Sequence, residues 1–243
     1  IEIVYAPLIH DFMIRALLMS VVIAISCSMF SCFLVLKGWS LMGDAISHAV
    51  LPGLVLAALL GLPLVIGAFV SGLSCAVLVG YIKDSCRLKE ESVMGIIFTF
   101  MFAVGLILLT KIETELHLMH VLFGNILGIL DQDLMITTFV GSVCSLLLIL
   151  KKNDFLLFCF DPVFTGSIGF PTKIFHYGLL ILLSLLIVSS IKAVGILLVI
   201  AMLITPGAIG LLTCQSFNSM LIVSIAVSYT HLTLPTNCVV GGW

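Results

Sequence analysis

Residues 43–82 read GDAISHAVLPGLVLAALLGLPLVIGAFVSGLSCAVLVGYI, with no Asp, Glu, Lys or Arg between Ala45 and Ile82. An uninterrupted apolar run of about 18 residues or more reads as a membrane span. This stretch is long enough for two, with Gly61-Leu62-Pro63 as the turn between them. Outward from it, Ala16–Leu36, Ser92–Thr110 and Ile174–Ile191 each pass the same test, and Leu134–Leu150 sits at the short limit. The region from Ala193 holds a further span to about Thr213 and begins another near Ser219. The chain is 62% hydrophobic and 9% charged, with a mean hydropathy of +1.36. Soluble domains carry roughly a quarter charged residues, so a soluble core is excluded. The expected fold is an all-α, polytopic membrane helical bundle of seven spans plus a truncated or artefactual eighth.

The net charge of −2 says little about partners and gives no reason to expect nucleic acid. The placement of positive charge says more. Lys37, the Lys83–Lys89 loop, Lys151, Lys152 and Lys173 fall on one side, leaving Arg15, Lys111 and Lys192 for the other. By the positive-inside rule the first group marks the cytoplasmic face, so the amino terminus and the Lys111–Asp133 loop face outward. Of the eight cysteines (27, 32, 75, 86, 144, 159, 214 and 238) most lie in apolar runs with no C-x-x-C pair, as small buried hydrophobes do. No cleavable signal peptide is expected, and a chain opening on Ile1 is expected to be cut from a longer frame.

Three polar segments join the spans. KDSCRLKEES (83–92) is short, charged and inside; the outer segment from Lys111 carries enough Leu, Met and Phe to lie against the bundle as a helix. The largest inside segment, 151–173, contains Asp161-Pro162, an N-cap followed by proline at the first helical position. Gly169 and Phe170-Pro171 then stop the helix after about two turns. A short, partly apolar element of this kind suits docking to a cytoplasmic partner. Pro52-Gly53 and Pro206-Gly207 both fall inside spans, where they are expected to break the helix. Paired interruptions in two halves of a membrane chain point to a transport site.

Asp44 and His48 share one helix face at i, i+4. If their span starts near Gly38, a rise of about 1.5 Å per residue puts Asp44 about 9 Å and His48 about 15 Å along it. A carboxylate costs at least about 2.5 kcal/mol at a membrane centre, which a passing divalent cation would offset. Carboxylate with imidazole suits zinc, manganese or iron. The plainer alternative is that Asp44 caps its helix and His48 hydrogen-bonds a neighbouring helix.

KGWSLMGDAISHAVLPG (37–53) resembles the signature of the membrane permease subunits of bacterial ABC importers for zinc, manganese and iron. The resemblance continues in order through RLKEESVMGIIFTFMFAVGLIL, HVLFGNILG, FDPVFTGSIGFP and KAVGILLVIAMLITPGA, over essentially residues 12–226. It implies a multi-pass protein of the bacterial inner membrane, working as a homodimer or paired permease, fed by an extracytoplasmic metal-binding protein and powered by cytoplasmic ATPase subunits. It further implies that Asp44, Ser47 and His48 line a transient metal path, with no permanently bound cofactor. Asp161, Pro162, Gly166 and Gly169 would form the element that couples to the ATPase. The chain has no G-x-x-x-x-G-K-[ST] motif, so it is expected to be a transport subunit and not an enzyme.

Other residues carry less. His120 stands in the family-like HVLFGN block and His117 does not; both are expected to be structural, with His120 a weak metal candidate. Glu113 and Glu115 read as a solvated surface, His176 with Tyr177 as an interfacial anchor, Lys192 as a snorkelling side chain, and the ten methionines as packing. The permease domain is expected over 1–227. From about 228 the apolar run dissolves into SYTHLTLPTN, which resembles a translated adapter tail, so His231 and Cys238 are not counted as ligands. Two other functions compete. A permease for a metal chelate such as a siderophore or cobalamin would have more spans and no need of an Asp-His pair. An intramembrane metalloprotease requires a motif such as H-E-x-x-H, and His48 is followed by Ala49-Val50.

Overall fold

The computed structural model describes residues 11–111 and 131–240. These form nine helices: α1 (Asp11–Lys37), α2 (Met42–Leu60), α3 (Leu64–Ser85), α4 (Glu90–Lys111), α5 (Asp131–Leu150), α6 (Lys152–Phe160), α7 (Pro162–Ser167), α8 (Thr172–Thr213) and α9 (Phe217–Val240). Seven stretches are long and apolar enough to cross a membrane, with α8 supplying two of them, Thr172–Ile191 and Ala193–Thr213. The eighth apolar stretch, Phe217–Thr230, is shorter. The sequence reading of seven spans in an all-α bundle holds. His117, His120, Glu113 and Glu115 lie outside the described residues, as do the side chains of Lys192, His231 and Cys238.

Side-chain contacts fix the direction of each span. Ser71 Oγ donates to Ala49 O and Cys75 Sγ approaches Ala45 O at 3.8 Å, so α3 runs back along α2. His176 at the start of α8 meets Trp39 beside the Lys37 end of α1, and Thr137 of α5 bonds Ser189 O at 2.9 Å near the opposite end. The chain then returns: Met202 lies level with Ala24 through Ser228, and Gly207 with Ser31. The reversal occurs at Gly195, whose φ of 78° and ψ of 164° no residue with a side chain adopts readily. Lys37, the 83–89 loop, Lys151, Lys152 and Lys173 therefore gather at one end, as the charge reading expected.

Without water between helices, packing and buried hydroxyls hold such a bundle together. A Cβ on Gly53 would collide with the backbone of Gly67, so α2 and α3 touch main chain to main chain. Ser26 Oγ lies 3.0 Å from Gly141 O and 2.8 Å from Ser145 Oγ, joining α1 to α5. Ser31 Oγ accepts from Gly207 N at 2.8 Å, and Ser224 Oγ donates to Pro206 O at 2.8 Å. An unsatisfied polar group in hydrocarbon costs several kcal/mol, which explains why these hydroxyls point inward.

The expected helix breaks require correction. Pro52 lies inside a helix that continues to Leu60, and Pro206 inside one that continues to Thr213. Their surroundings absorb the irregularity: Pro52 packs against Gly105 of α4, and Gly207 seats against Ser31 of α1. Both Pro-Gly pairs are close-approach points, and the interruption falls instead at Gly195. Past residue 228, where the apolar pattern changes, α9 runs on to Val240, and Ser228 is buried with its hydroxyl 3.0 Å from Ala24 O.

Candidate functional site

The turn after α1 ends at Leu41, and α2 begins at Met42, not near Gly38. Asp44 therefore sits in the first turn of α2. At about 1.5 Å per residue, His48 lies roughly 9 Å along the helix and not about 15 Å. The pair is nearer the positively charged end than the sequence spacing suggested.

Leu41 is the N-cap and makes no side-chain cap bond, and Asp44 is the acidic residue of the first turn. Asp44 Oδ1 lies 3.2 Å from His48 Nε2, with the two side chains 27% and 21% exposed. The pair is thus half-covered and still reachable. Phe98 and Phe102 of α4 wall the imidazole at centroid distances of 5.7 and 4.9 Å. His48 Nδ1 is buried and makes no hydrogen bond among the described residues.

Two ligand atoms 3.2 Å apart, each about 2.1 Å from a shared cation, would subtend roughly 100° at it. That angle fits tetrahedral and octahedral coordination alike. Ser47 does not join them: it is fully buried and its hydroxyl donates to Gly43 O at 2.7 Å, within its own helix. Among the described residues no group of three or more His, Cys, Asp or Glu could hold a metal ion. Among the described residues, Asp44 and His48 are thus a pair with no third such side chain beside them. The aromatic wall of Phe98 and Phe102 could not be anticipated, because nothing local in α4 marks two of its many apolar residues.

The second site is at the positive end. Asp161 caps α7 as expected: its Oδ1 accepts from Val163 N at 3.0 Å and Phe164 N at 2.9 Å, with Pro162 in the first turn. Gly169 closes the element at φ 89°. Val163 is 80% exposed, Phe164 and Ile168 are more than half exposed, and only Thr165 is buried. Gly166 contacts Thr172 loosely, without a close approach. His176, expected as an interfacial anchor beside Tyr177, lies near the start of its span, half-buried, with its ring edge-on to Trp39 at 5.0 Å and to Tyr177 at 5.2 Å.

A seven-span helical bundle with a carboxylate and an imidazole in contact on one inner helix, and an exposed apolar helix at one end, is a multi-pass membrane protein. The chain belongs to the ABC 3 transport family, which residues 9–237 match. It is 55% identical to the "Chelated iron transport system membrane protein YfeD" of Yersinia pestis, over 95% of this chain and 77% of that one. It is 48% identical to the "Manganese transport system membrane protein MntB" of a Synechocystis strain, over 95% and 75% of the two chains. Among solved structures, PsaBC from Streptococcus pneumoniae aligns with a TM-score of 0.82 at 39% identity, over 94% of this chain and 83% of that one.

Proposed function

We propose that this chain is the membrane permease subunit of a bacterial inner-membrane ABC importer that carries a divalent transition metal, manganese, iron or zinc, into the cytoplasm. The observation that carries the reading is the Asp44–His48 contact at 3.2 Å on an inner helix of an ABC 3 family member. The relatives named for iron and manganese transport support the cargo class. Asp44 supplies a hard oxygen and His48 a borderline nitrogen, a set that binds these metals without holding them permanently.

Two ligands leave the coordination sphere open. A second permease presenting the same pair would bring the count to four, which supports a homodimer or paired permease around the path. An extracytoplasmic binding protein would deliver the metal. ATP hydrolysis belongs to a separate cytoplasmic subunit, received by the exposed helix α7. The family resemblance supports these partners, and the apolar, outward-facing Val163, Phe164 and Ile168 support the docking role. A metal-chelate cargo is the second reading, favoured by the name of the Yersinia pestis relative.

The test is elemental analysis of cells expressing the permease with its ATPase and binding protein, comparing wild type with Asp44→Asn and His48→Ala at equal membrane abundance. Loss of one metal in both variants supports the path. Normal uptake in both sinks it, and uptake that occurs only when a chelator accompanies the metal selects the second reading.

A further inference from the structure

Helix α7 begins with proline, and this has a consequence for the helix before it. In α6 the carbonyl of Phe158 would ordinarily accept from the amide four residues on, but that residue is Pro162, which has no N–H. Asp161 N caps Leu157 O at 3.0 Å, so the Phe158 carbonyl must find its donor elsewhere. Lys37 supplies it from another span. Its Nζ lies 3.4 Å from Phe158 O, at the long end of hydrogen-bonding range, and 4.2 Å from the centroid of the Phe158 ring. A cation near helix-terminal carbonyls and over an aromatic face is favoured on both counts.

Lys37 is also the last residue of α1. The turn that follows is held by Gly38 N to Val35 O at 3.1 Å and Trp39 N to Leu34 O at 2.8 Å, and Met42 N then bonds Trp39 O at 3.0 Å. This leads directly into the first turn of α2, where Asp44 stands. Trp39 is fully buried, with His176 of α8 edge-on to it and Lys37 Nζ 5.9 Å from its ring. Phe158 lies 6.4 Å from the same His176. The base of the docking helix and the start of the metal-path helix thus share one packed cluster.

We infer that Lys37 is a positioning residue that ties the movement of the ATPase-docking helix to the Asp44–His48 helix, so that ATP hydrolysis and metal movement stay in step. The inference rests on the permease reading above. Its test is the reconstituted complex of permease, ATPase and binding protein in liposomes, supplied with manganese(II), ferrous iron or zinc, whichever the wild type carries. The measured quantity is metal transported per ATP hydrolysed.

Lys37→Met keeps the apolar stem and removes charge and donor. It is expected to leave ATP hydrolysis within about twofold of wild type while transport per ATP falls roughly fivefold or more, the scale of a typical coupling between sites. Lys37→Arg, which restores cation and donor, is expected to recover most of the ratio. An unchanged ratio in Lys37→Met, or an equal loss in Lys37→Arg, overturns the inference. Should Lys37→Met fail to accumulate in the membrane, Lys37→Gln carries the test, since it removes the charge and shortens the reach to the Phe158 carbonyl. An unchanged ratio there overturns the inference too. A wild-type complex that transports none of the three metals refutes the permease reading itself, which is a separate result.

Discussion

Asp44 and Asp161 both stand at the start of a helix, and they are used in opposite ways. Asp161 is an N-cap whose carboxylate accepts two backbone N–H groups of α7, so its bonding is spent on its own helix. Asp44 lies inside the first turn of α2, makes no cap, and faces His48 at 3.2 Å. One carboxylate is spent on capping a short exposed helix, and the other is turned to an imidazole on its own helix. What separates them is position relative to the N-cap, a difference of three residues (Leu41 to Asp44).

Substitution sharpens that contrast. Asp44→Asn should lower metal uptake about tenfold or more while leaving folding intact, because the amide fits the same space; detergent melting and uptake together check this. If uptake persists, Asp44 is an ordinary first-turn acid like any other. Gly53→Val breaks the framework instead: its side chain would drive into the Gly67 backbone, at a cost of about 1–3 kcal/mol or more. Membrane abundance and melting temperature should fall together, where Asp44→Asn changes neither. Asp161→Ala is expected to be milder, about 1 kcal/mol of cap stability, read as a roughly fivefold weaker association with the ATPase. Asp161→Asn should restore most of it, since asparagine caps nearly as well.

The legibility of these features follows the range of the physics behind them. The α7 cap was readable because Asp-Pro followed by Gly-Phe-Pro acts within one short segment. The spans were readable because hydrocarbon imposes length and apolarity directly. The boundary between the spans ending at Ile191 and starting at Ala193 appears as the Gly195 reversal, a feature of a single residue. What was not readable depends on neighbours far along the chain. Pro52-Gly53 looks like a break until Gly67 and Gly105 are placed beside it. The start of α2 moved from near Gly38 to Met42 because the Lys37–Leu41 turn is held by backbone bonds to Val35 and Leu34, which no hydropathy pattern reports. Ser47 fits the resemblance as a path residue, yet its hydroxyl turns back onto Gly43.

The smallest expected effect tests the end of the molecule where both aspartate helices begin. Cys86 is exposed in the loop after α3, and Cys159 is buried in α6 near Lys37. Burial pushes the Cys159 thiol up to about 12, with the nearby Lys37 charge opposing part of that rise. Only the thiolate attacks a maleimide. Cys159 should therefore stay unlabelled at neutral and mildly alkaline pH, and Lys37→Met should not make it more reactive. The sign for stability follows from the same shift. The folded protein keeps a proton that the unfolded chain releases above about 8.5, so this group's contribution declines as pH rises from there toward 12. A membrane-impermeant maleimide, used with Cys214 and Cys238 replaced by serine, should label Cys86 in inside-out vesicles and not in right-side-out ones. Labelling from the outer face would invert the bundle, putting both the docking helix and the beginning of the Asp44 helix on the wrong side for a cytoplasmic ATPase.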